Sequence, residues 1–420
     1  MTAIALASAA LASAVADRVA LTRAVEIAEE IVERRNTYPI LANVRLRGDG
    51  NMLFVTSTDL DIVIDVAVPA PADERFDVTV PALMLKQLLK GAPKAEYVAF
   101  TMPPSKAVER VTRWKFDIEK GENVPDATET IITFDGAVDV DFATATYQMA
   151  ALPSEGFPAL KPGEFTHRFS LSGIELFDSL DAVEFAVSNE ETRYYLNGVY
   201  MHVVTPSGRN RPELRCTATD GHRMARSEIT APDGAIGMPG IIIPKKTVAL
   251  LVKLMKGKAR PETVEIEVHE RFMRLHWDGV TVTSKMIDGT FPDYERVTPK
   301  NNDKAVTFKA ADALAAIKAA GLVASERGGK AVKLSFEGGK LTLICNNPDM
   351  GSSAVPLAIV PGEQMPESFE IGFNARYLTD LVTEARSDEV TMLFNDAGSP
   401  TVVTGEGREG WLAVLMPMRV

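Results

Sequence analysis

Of the five histidines in the chain, one sits where its neighbours could do chemistry with it. The stretch "TATDGHRMARSEI" (217–229) brings Asp220, His222 and Arg223 within four positions. A carboxylate close to an imidazole is raw material for general acid–base or hydrolytic catalysis, provided the base has an orienting partner and a substrate pocket. The sequence displays neither. It also lacks a glycine-rich phosphate loop, a His-Glu-x-x-His helix and a Gly-x-Ser-x-Gly elbow. A structural reading competes with the catalytic one, because Asp220-Gly221 is a favoured type I′ hairpin pair between Thr217 and Thr219 on one side and Met224 and Ala225 on the other. That reading accounts for Asp220 and Gly221 but leaves His222 and Arg223 unexplained.

The surrounding pattern repeats. "VRLRGDGNMLFVTSTDLDIVI" (44–64), "VYMHVVTPSGRNRPELRCTATDGHRMA" (199–225) and "VKLSFEGGKLTLICNNPDMGSSAV" (332–355) each read as strand, polar turn, strand, turn, strand. A helix-period segment precedes each copy, at Val19–Arg35, Ile174–Val187 and Ala310–Val323. In the second of these, Ile174, Phe177, Leu180 and Val183 are expected on one buried stripe. Another helix follows each copy, over 81–91, 244–257 and 374–386, with Pro81 and Pro244 at the starts and Gly91 and Gly257 at the stops. Three tandem α+β domains are therefore expected, at 1–160, 161–298 and 299–420. The first is lengthened by an alanine-rich start, expected to be a helical or frayed extension rather than a signal peptide, and by an inserted loop or hairpin near 101–130. The counterparts of the Asp220 turn read Thr58-Asp59-Leu60-Asp61 and Asn347-Pro348-Asp349-Met350, so the His-Arg pair belongs to the second copy alone.

Composition narrows the function classes. Two cysteines, Cys216 and Cys345, cannot build a disulfide framework or a four-thiolate metal site. They fall at matching strand positions in copies two and three, where buried strand cysteines are expected, and no metal or cofactor is called for. Cysteine usage places the chain in a reducing, cytoplasmic compartment, and no run of about 20 strongly apolar residues predicts a membrane span. A formal charge of −12 argues against a protein coated in nucleic acid while leaving room for one basic face. The helix from 244 supplies a candidate face. Lys246, Lys253, Lys256 and Arg260 share one arc if the helix survives Gly257, and Lys86 and Lys90 occupy the equivalent helix of the first copy. The 174–191 region is openly acidic, so loose, sequence-blind phosphate contact is the expected regime. The final stretch "WLAVLMPMRV" (411–420) reads as a core strand, Trp411–Leu415, followed by a methionine-rich docking edge.

Taken together, "ERRNTYPILANV" (33–44), "TRYYLNGVYM" (192–201), "TATDGHRMA" (217–225), "FPDYERVTPKN" (291–301), "IGFNARYLTDLV" (371–382) and the terminal "MPMRV" resemble the bacterial sliding-clamp family, the β subunit of the replicative DNA polymerase III holoenzyme. The resemblance covers most of the chain. It implies a non-enzymatic processivity factor with three similar domains, two copies closing head to tail into a ring with helices inside and sheets outside, around sequence-independent duplex DNA. It further implies partners in the DNA polymerase III alpha subunit, the clamp loader and other proteins carrying a clamp-binding motif. By motif position it assigns partner-peptide binding to Tyr195, Leu196, Thr219, Gly221, His222, Arg223, Met224, Pro292 and Val297 from the second domain. Asn374, Tyr377, Val414, Met416, Pro417, Met418 and Arg419 would complete that groove from the third. Arg35, Tyr194, Lys246 and Arg327 would contact DNA, and Tyr147, Met149, Leu322 and Val323 the second subunit. The alternative is a clamp-fold interaction scaffold or accessory copy that does not support replication.

Overall fold

The computed structural model describes residues 12–33, 37–102, 106–117, 122–133, 136–206, 208, 210–257, 260–323, 331–360 and 368–419. The chain divides into two compact units, one of residues 1–161 with 274–284, the other of 162–273 with 285–420.

In the first unit the three strands of the repeat are Asn43–Gly48, Gly50–Thr58 and Ile62–Ala72. Their alternation of buried and less buried residues, as in Leu53, Val55, Ile62, Ile64 and Val66, gives the sheet one core face. That face is covered by helices α1 (Arg18–Ala28) and α2 (Ala82–Gly91). Asp17 caps α1 by accepting from the Ala20 amide at 2.7 Å. The alanine-rich start departs from expectation where it is described. Ser13–Asp17 is a strand paired antiparallel with Tyr97–Thr101, because alternating Ala14 and Ala16 are small enough to be fully buried; residues 1–11 lie outside the described residues. The insertion is a hairpin of Lys106–Asp117 with Glu122–Thr133.

The second unit holds two copies of the repeat. Their six strands are Gly198–Val204, Glu213–Thr219 and Arg223–Thr230, then Ala331–Glu337, Lys340–Asn347 and Gly351–Leu357. The helices are α3 (Gly173–Glu184), α4 (Lys245–Leu254), α5 (Ala310–Ala320) and α6 (Ala375–Glu384). A capping box between Ser172 and Glu175 starts α3. Its expected stripe needs correcting. Leu180 and Val183 are fully buried, but Ile174 is 52% exposed, since strict three-residue spacing drifts by about 60° per step and turns Ile174 to the face opposite Val183.

The C-terminal strand joins the two copies of this unit. Arg223–Thr230 pairs antiparallel with Trp411–Leu415, with Arg223 opposite Leu415 and Met224 opposite Val414, inside an eight-stranded sheet. Trp411 Nε1 adds a buried hydrogen bond to the Ala182 carbonyl of α3 at 3.0 Å. Cys216 and Cys345 are both buried and free, and burial pushes the Cys216 thiol up to about 12. No helix among the described residues is long and apolar enough to cross a membrane.

Candidate functional site

The site begins with the turn at 219–223. Thr219 Oγ1 accepts from the Gly221 amide at 3.1 Å and donates to the Arg223 carbonyl at 2.8 Å. Asp220 Oδ1 accepts from the amides of His222 and Arg223 at 2.9 and 3.0 Å. Gly221 has φ +88° whereas Asp220 stays out of the left-handed region. The expected type I′ pair, which requires positive φ at both central residues, is therefore replaced by a longer turn held by the Asp220 and Thr219 side chains. Asp220 is not oriented as a catalytic partner of His222. Its second oxygen takes the Arg223 Nε at 3.0 Å, while the His222 ring stacks on Tyr377 at 6.0 Å.

Arg223 is the pivot. Its buried guanidinium also donates to Asp380 of α6 at 2.5 Å and lies over the Tyr377 ring at 4.5 Å. One side of it faces an apolar cleft of about 260 Å³ lined by Arg193, Tyr195, Leu196, Thr219, Gly221, Met224, Pro292, Asp293, Tyr294, Val297, Val414 and Met416. The cleft floor belongs to a buried cluster of Leu196, Met224, Ile242, Phe291, Tyr294 and Val414, of which Leu196, Met224, Tyr294 and Val414 line the cleft and Ile242 and Phe291 back them. Its two walls meet because the Met416 amide donates to the His222 carbonyl at 2.9 Å, extending the sheet ladder by one bond past Leu415.

The docking residues read from the sequence are thus distributed among separate hollows rather than one groove. Tyr195, Leu196, Thr219, Gly221, Arg223, Met224, Pro292, Val297, Val414 and Met416 line the apolar cleft. His222 and Tyr377 line a polar basin of about 600 Å³ with Asp181, Glu184, Asp380 and Glu384, where burial and the neighbouring Asp181 raise the Glu184 pKa. Pro417, Met418 and Arg419 line a third hollow, anchored where the Met418 amide donates to the Gly372 carbonyl at 2.8 Å. The partition between the first two is the Arg223 side chain itself, common to both. Asn374 uses its side-chain oxygen to cap α6, accepting from the Arg376 and Tyr377 amides. Arg193, Asp293 and Tyr294 also line the cleft without having been read as such; Arg193 adjoins Tyr194, Asp293 adjoins Pro292, and Tyr294 lies two positions past Pro292.

The basic faces also change. Lys246, Lys253 and Lys256 are exposed on and just beyond α4. The helix ends at Leu254, however, and Gly257 at φ +73° turns the chain, so Arg260 folds back to donate to the Met255 carbonyl and cover the Phe177 ring. On α2, Lys86 is paired with Glu29 and Lys90 with Glu26. That face is neutralised by residues from α1 and the turn following it, which lie far away in sequence. Tyr194 is 53% exposed and packs edge-on against Tyr195; Arg35 and Arg327 lie outside the described residues. Tyr147 and Met149 lie on the edge strand Thr146–Ala150. Met149 is only 2% exposed, because strand alternation points it into the core, so its side chain is not on offer at the surface; Leu322 is 77% exposed beside Val323 at the end of α5.

Comparison with known proteins decides what kind of molecule carries this cleft. Models of the DNA polymerase III beta subunit match in order, the N-terminal domain at residues 14–122, the central domain at 170–293 and the C-terminal domain at 295–419. The chain belongs to the DNA polymerase III beta subunit family. The beta sliding clamp of Caulobacter vibrioides is 34% identical over 413 residues, covering 96% of this chain and 99% of the relative. Among solved structures, a C. crescentus beta sliding clamp superposes with TM-score 0.84 at 33% identity, covering 98% of this chain and all of the other. A Bartonella birtlesii sliding clamp bound to griselimycin gives TM-score 0.82 at 35% identity, over 98% of this chain and 100% of that one. The fold is three tandem clamp domains of α+β type, and the function is that of a sliding clamp, a non-catalytic processivity factor of DNA polymerase III. The scaffold alternative is not favoured by these matches.

Proposed function

We propose that this chain closes head to tail with a second copy into a ring around duplex DNA, helices inward and sheets outward, and captures its partners by a short peptide in the apolar cleft. The observation that carries the reading is the cleft itself. It is an apolar floor walled by the 219–223 turn on one side and the Met416 end of the last strand on the other, a shape suited to an extended peptide with apolar anchors. DNA and polymerase are partners of the clamp family; the finer assignment to the polymerase alpha subunit, the clamp loader and other motif-bearing proteins is part of the proposal, as is a cytoplasmic location.

Domain boundaries near 160 and 298 are supported by the family matches that begin at 170 and 295. DNA contact is assigned to Tyr194 and Lys246, with Arg35 and Arg327 by motif position, and is supported by the exposed lysines of α4. Few phosphate contacts on a body of charge −12 suit a ring that must slide, because tight binding would hold it still. Subunit contact is assigned to Tyr147, Leu322 and Val323, with Met149 supporting the edge strand from beneath. The open edges of the Thr146–Ala150 and Gly351–Leu357 strands support this, since unpaired backbone invites strand addition. The test is retention on DNA after clamp loading. Ring closure predicts retention on closed circular DNA and loss once the circle is linearised. Equal loss from both forms would remove the ring from the account.

A further inference from the structure

Beside the apolar cleft, further along the same face of the sheet that carries Met224 and Val414, lies a row of polar residues that the docking function does not by itself require. His202, Arg215 and Glu228 are direct cross-strand partners on three neighbouring strands, His202 opposite Arg215 and Arg215 opposite Glu228. Arg215 is 4% exposed and binds Glu228 through Nε at 3.0 Å and Nη2 at 2.9 Å; it also pairs with Glu295. Its Nη1 donates to the Tyr294 hydroxyl at 3.0 Å, and that hydroxyl lies 2.9 Å from His202 Nε2. The Tyr294 hydroxyl thus stands between a guanidinium that can only donate to it and the imidazole Nε2. Burial, with the Arg215 charge adding to it, holds the imidazole neutral by lowering its pKa to about 4.

Tyr294 is the residue shared by cleft and row. Its ring lines the cleft and its hydroxyl belongs to the polar row. The same histidine reaches the cleft floor by a second route, stacking on Tyr200 at 4.2 Å, which in turn stacks on Phe291 at 4.9 Å and 8°. Two aromatic members of the cluster, Tyr294 in the lining and Phe291 behind it, are therefore located by one imidazole, through a hydrogen bond and through a stack relayed by Tyr200. An apolar pocket whose aromatic walls could slide would admit its ligand at a greater ordering cost, whereas fixed walls are preorganised for it.

We infer that His202 and Arg215 are positioning residues of the docking cleft, acting through Tyr294 and Phe291 to hold its floor in the binding-competent shape. The inference rests on the cleft being the docking site. The experiment therefore uses griselimycin as probe and first compares wild type with Met416→Lys, which places a charge at the cleft mouth. Binding by wild type and loss of it in Met416→Lys establish the site; no binding by wild type would overturn both readings together. Tyr294→Phe and His202→Leu should then weaken griselimycin by about three- to tenfold, the worth of one or two neutral hydrogen bonds. His202→Gln, whose side-chain amide can turn either its oxygen or its nitrogen to the Tyr294 hydroxyl where Nε2 stood, should recover most of the affinity. Thr58→Val, a destabilising change in the first unit, controls for general loss of stability, since a merely structural role for His202 would make the two behave alike at equal melting temperature. Wild-type affinity in both Tyr294→Phe and His202→Leu, with Met416→Lys still unable to bind, would overturn the inference and leave the docking site standing.

Discussion

The turn at 58–62 and the turn at 219–223 are the same piece of backbone used for different ends. Thr58 Oγ1 accepts from the Leu60 amide and donates to the Ile62 carbonyl, and Asp59 Oδ1 accepts from the amides of Asp61 and Ile62, bond for bond as Thr219 and Asp220 do. Leu60 even takes up φ +81° where Gly221 has +88°. The difference lies in the last residue of each turn. Ile62 is buried in the first unit's core, while Arg223 ties Asp220 to Asp380 and divides two hollows. Thr-Asp is thus the architecture that the first two copies share, where the third has Asn347-Pro348, and His-Arg is what the second copy adds to it.

Removing the aspartate from each turn should separate these roles most widely. Asp220→Ala deletes two backbone hydrogen bonds and one carboxylate of a largely buried ion-pair network, for a loss of about 3 kcal/mol in denaturant unfolding. Asp59→Ala, losing the corresponding backbone bonds, should cost about 1–2 kcal/mol; equal losses would mean that the Arg223 network contributes nothing beyond the turn.

The second copy also carries a pH dependence of its own, at His202. Its folded pKa of about 4 lies below the usual 6.5, so the unfolded chain binds the extra proton and stability falls as pH drops from about 6.5 to 4, with little further change from this group below that. The groups facing the imidazole are Arg215 on the next strand, Tyr200 on its own, and Tyr294, with Glu228 and Glu295 behind Arg215. The upper bound on the effect is about 3 kcal/mol, and His202→Gln should flatten this window in a series of melts across pH.

Exchanging the left-handed residues should give a smaller, opposite pair of effects. Gly221→Leu is expected to lose about 1–2 kcal/mol from backbone strain, and its Cβ would stand 2.7 Å from Arg193 Nη1, pushing that cation off the cleft wall. Leu60→Gly should leave stability level or raise it by up to about 1 kcal/mol, since Leu60 is 41% exposed and has little packing to lose. The smallest contrast is Thr58→Val against Thr219→Val, each about 1 kcal/mol and equal within error by chemical denaturation; a marked inequality would show the turns to be less alike than their hydrogen bonds.

What could be read in advance follows the range of the interactions concerned. The three repeats and their paired helices were legible because strand alternation, prolines at helix starts and glycines at helix ends are local signals. Gly257 signalled the stop of α4, yet Arg260 was carried past it onto the helix face. The neutralisation of Lys86 and Lys90 by Glu29 and Glu26 was invisible, since the partners are more than fifty residues apart and meet only after folding. Motif resemblance found most of the cleft lining, but it gave neither the partition made by Arg223 nor the polar row beside the cleft. Arg215 lies between Leu214 and Cys216 in a buried strand, and only the pairing of three strands reveals which histidine, glutamate and tyrosine it meets.

On the proposed function, the 219–223 turn serves docking whereas its twin at 58–62 serves only the fold. The direct test replaces Gly221, His222 and Arg223 with the first copy's Leu, Asp and Ile, and measures griselimycin affinity by titration calorimetry on folded protein. Binding should fall by at least about tenfold with the circular dichroism spectrum retained, and should be unchanged when the reciprocal residues are placed at 60–62. Wild-type affinity in the chain carrying the first copy's turn at 219–223 would contradict the docking role of that turn.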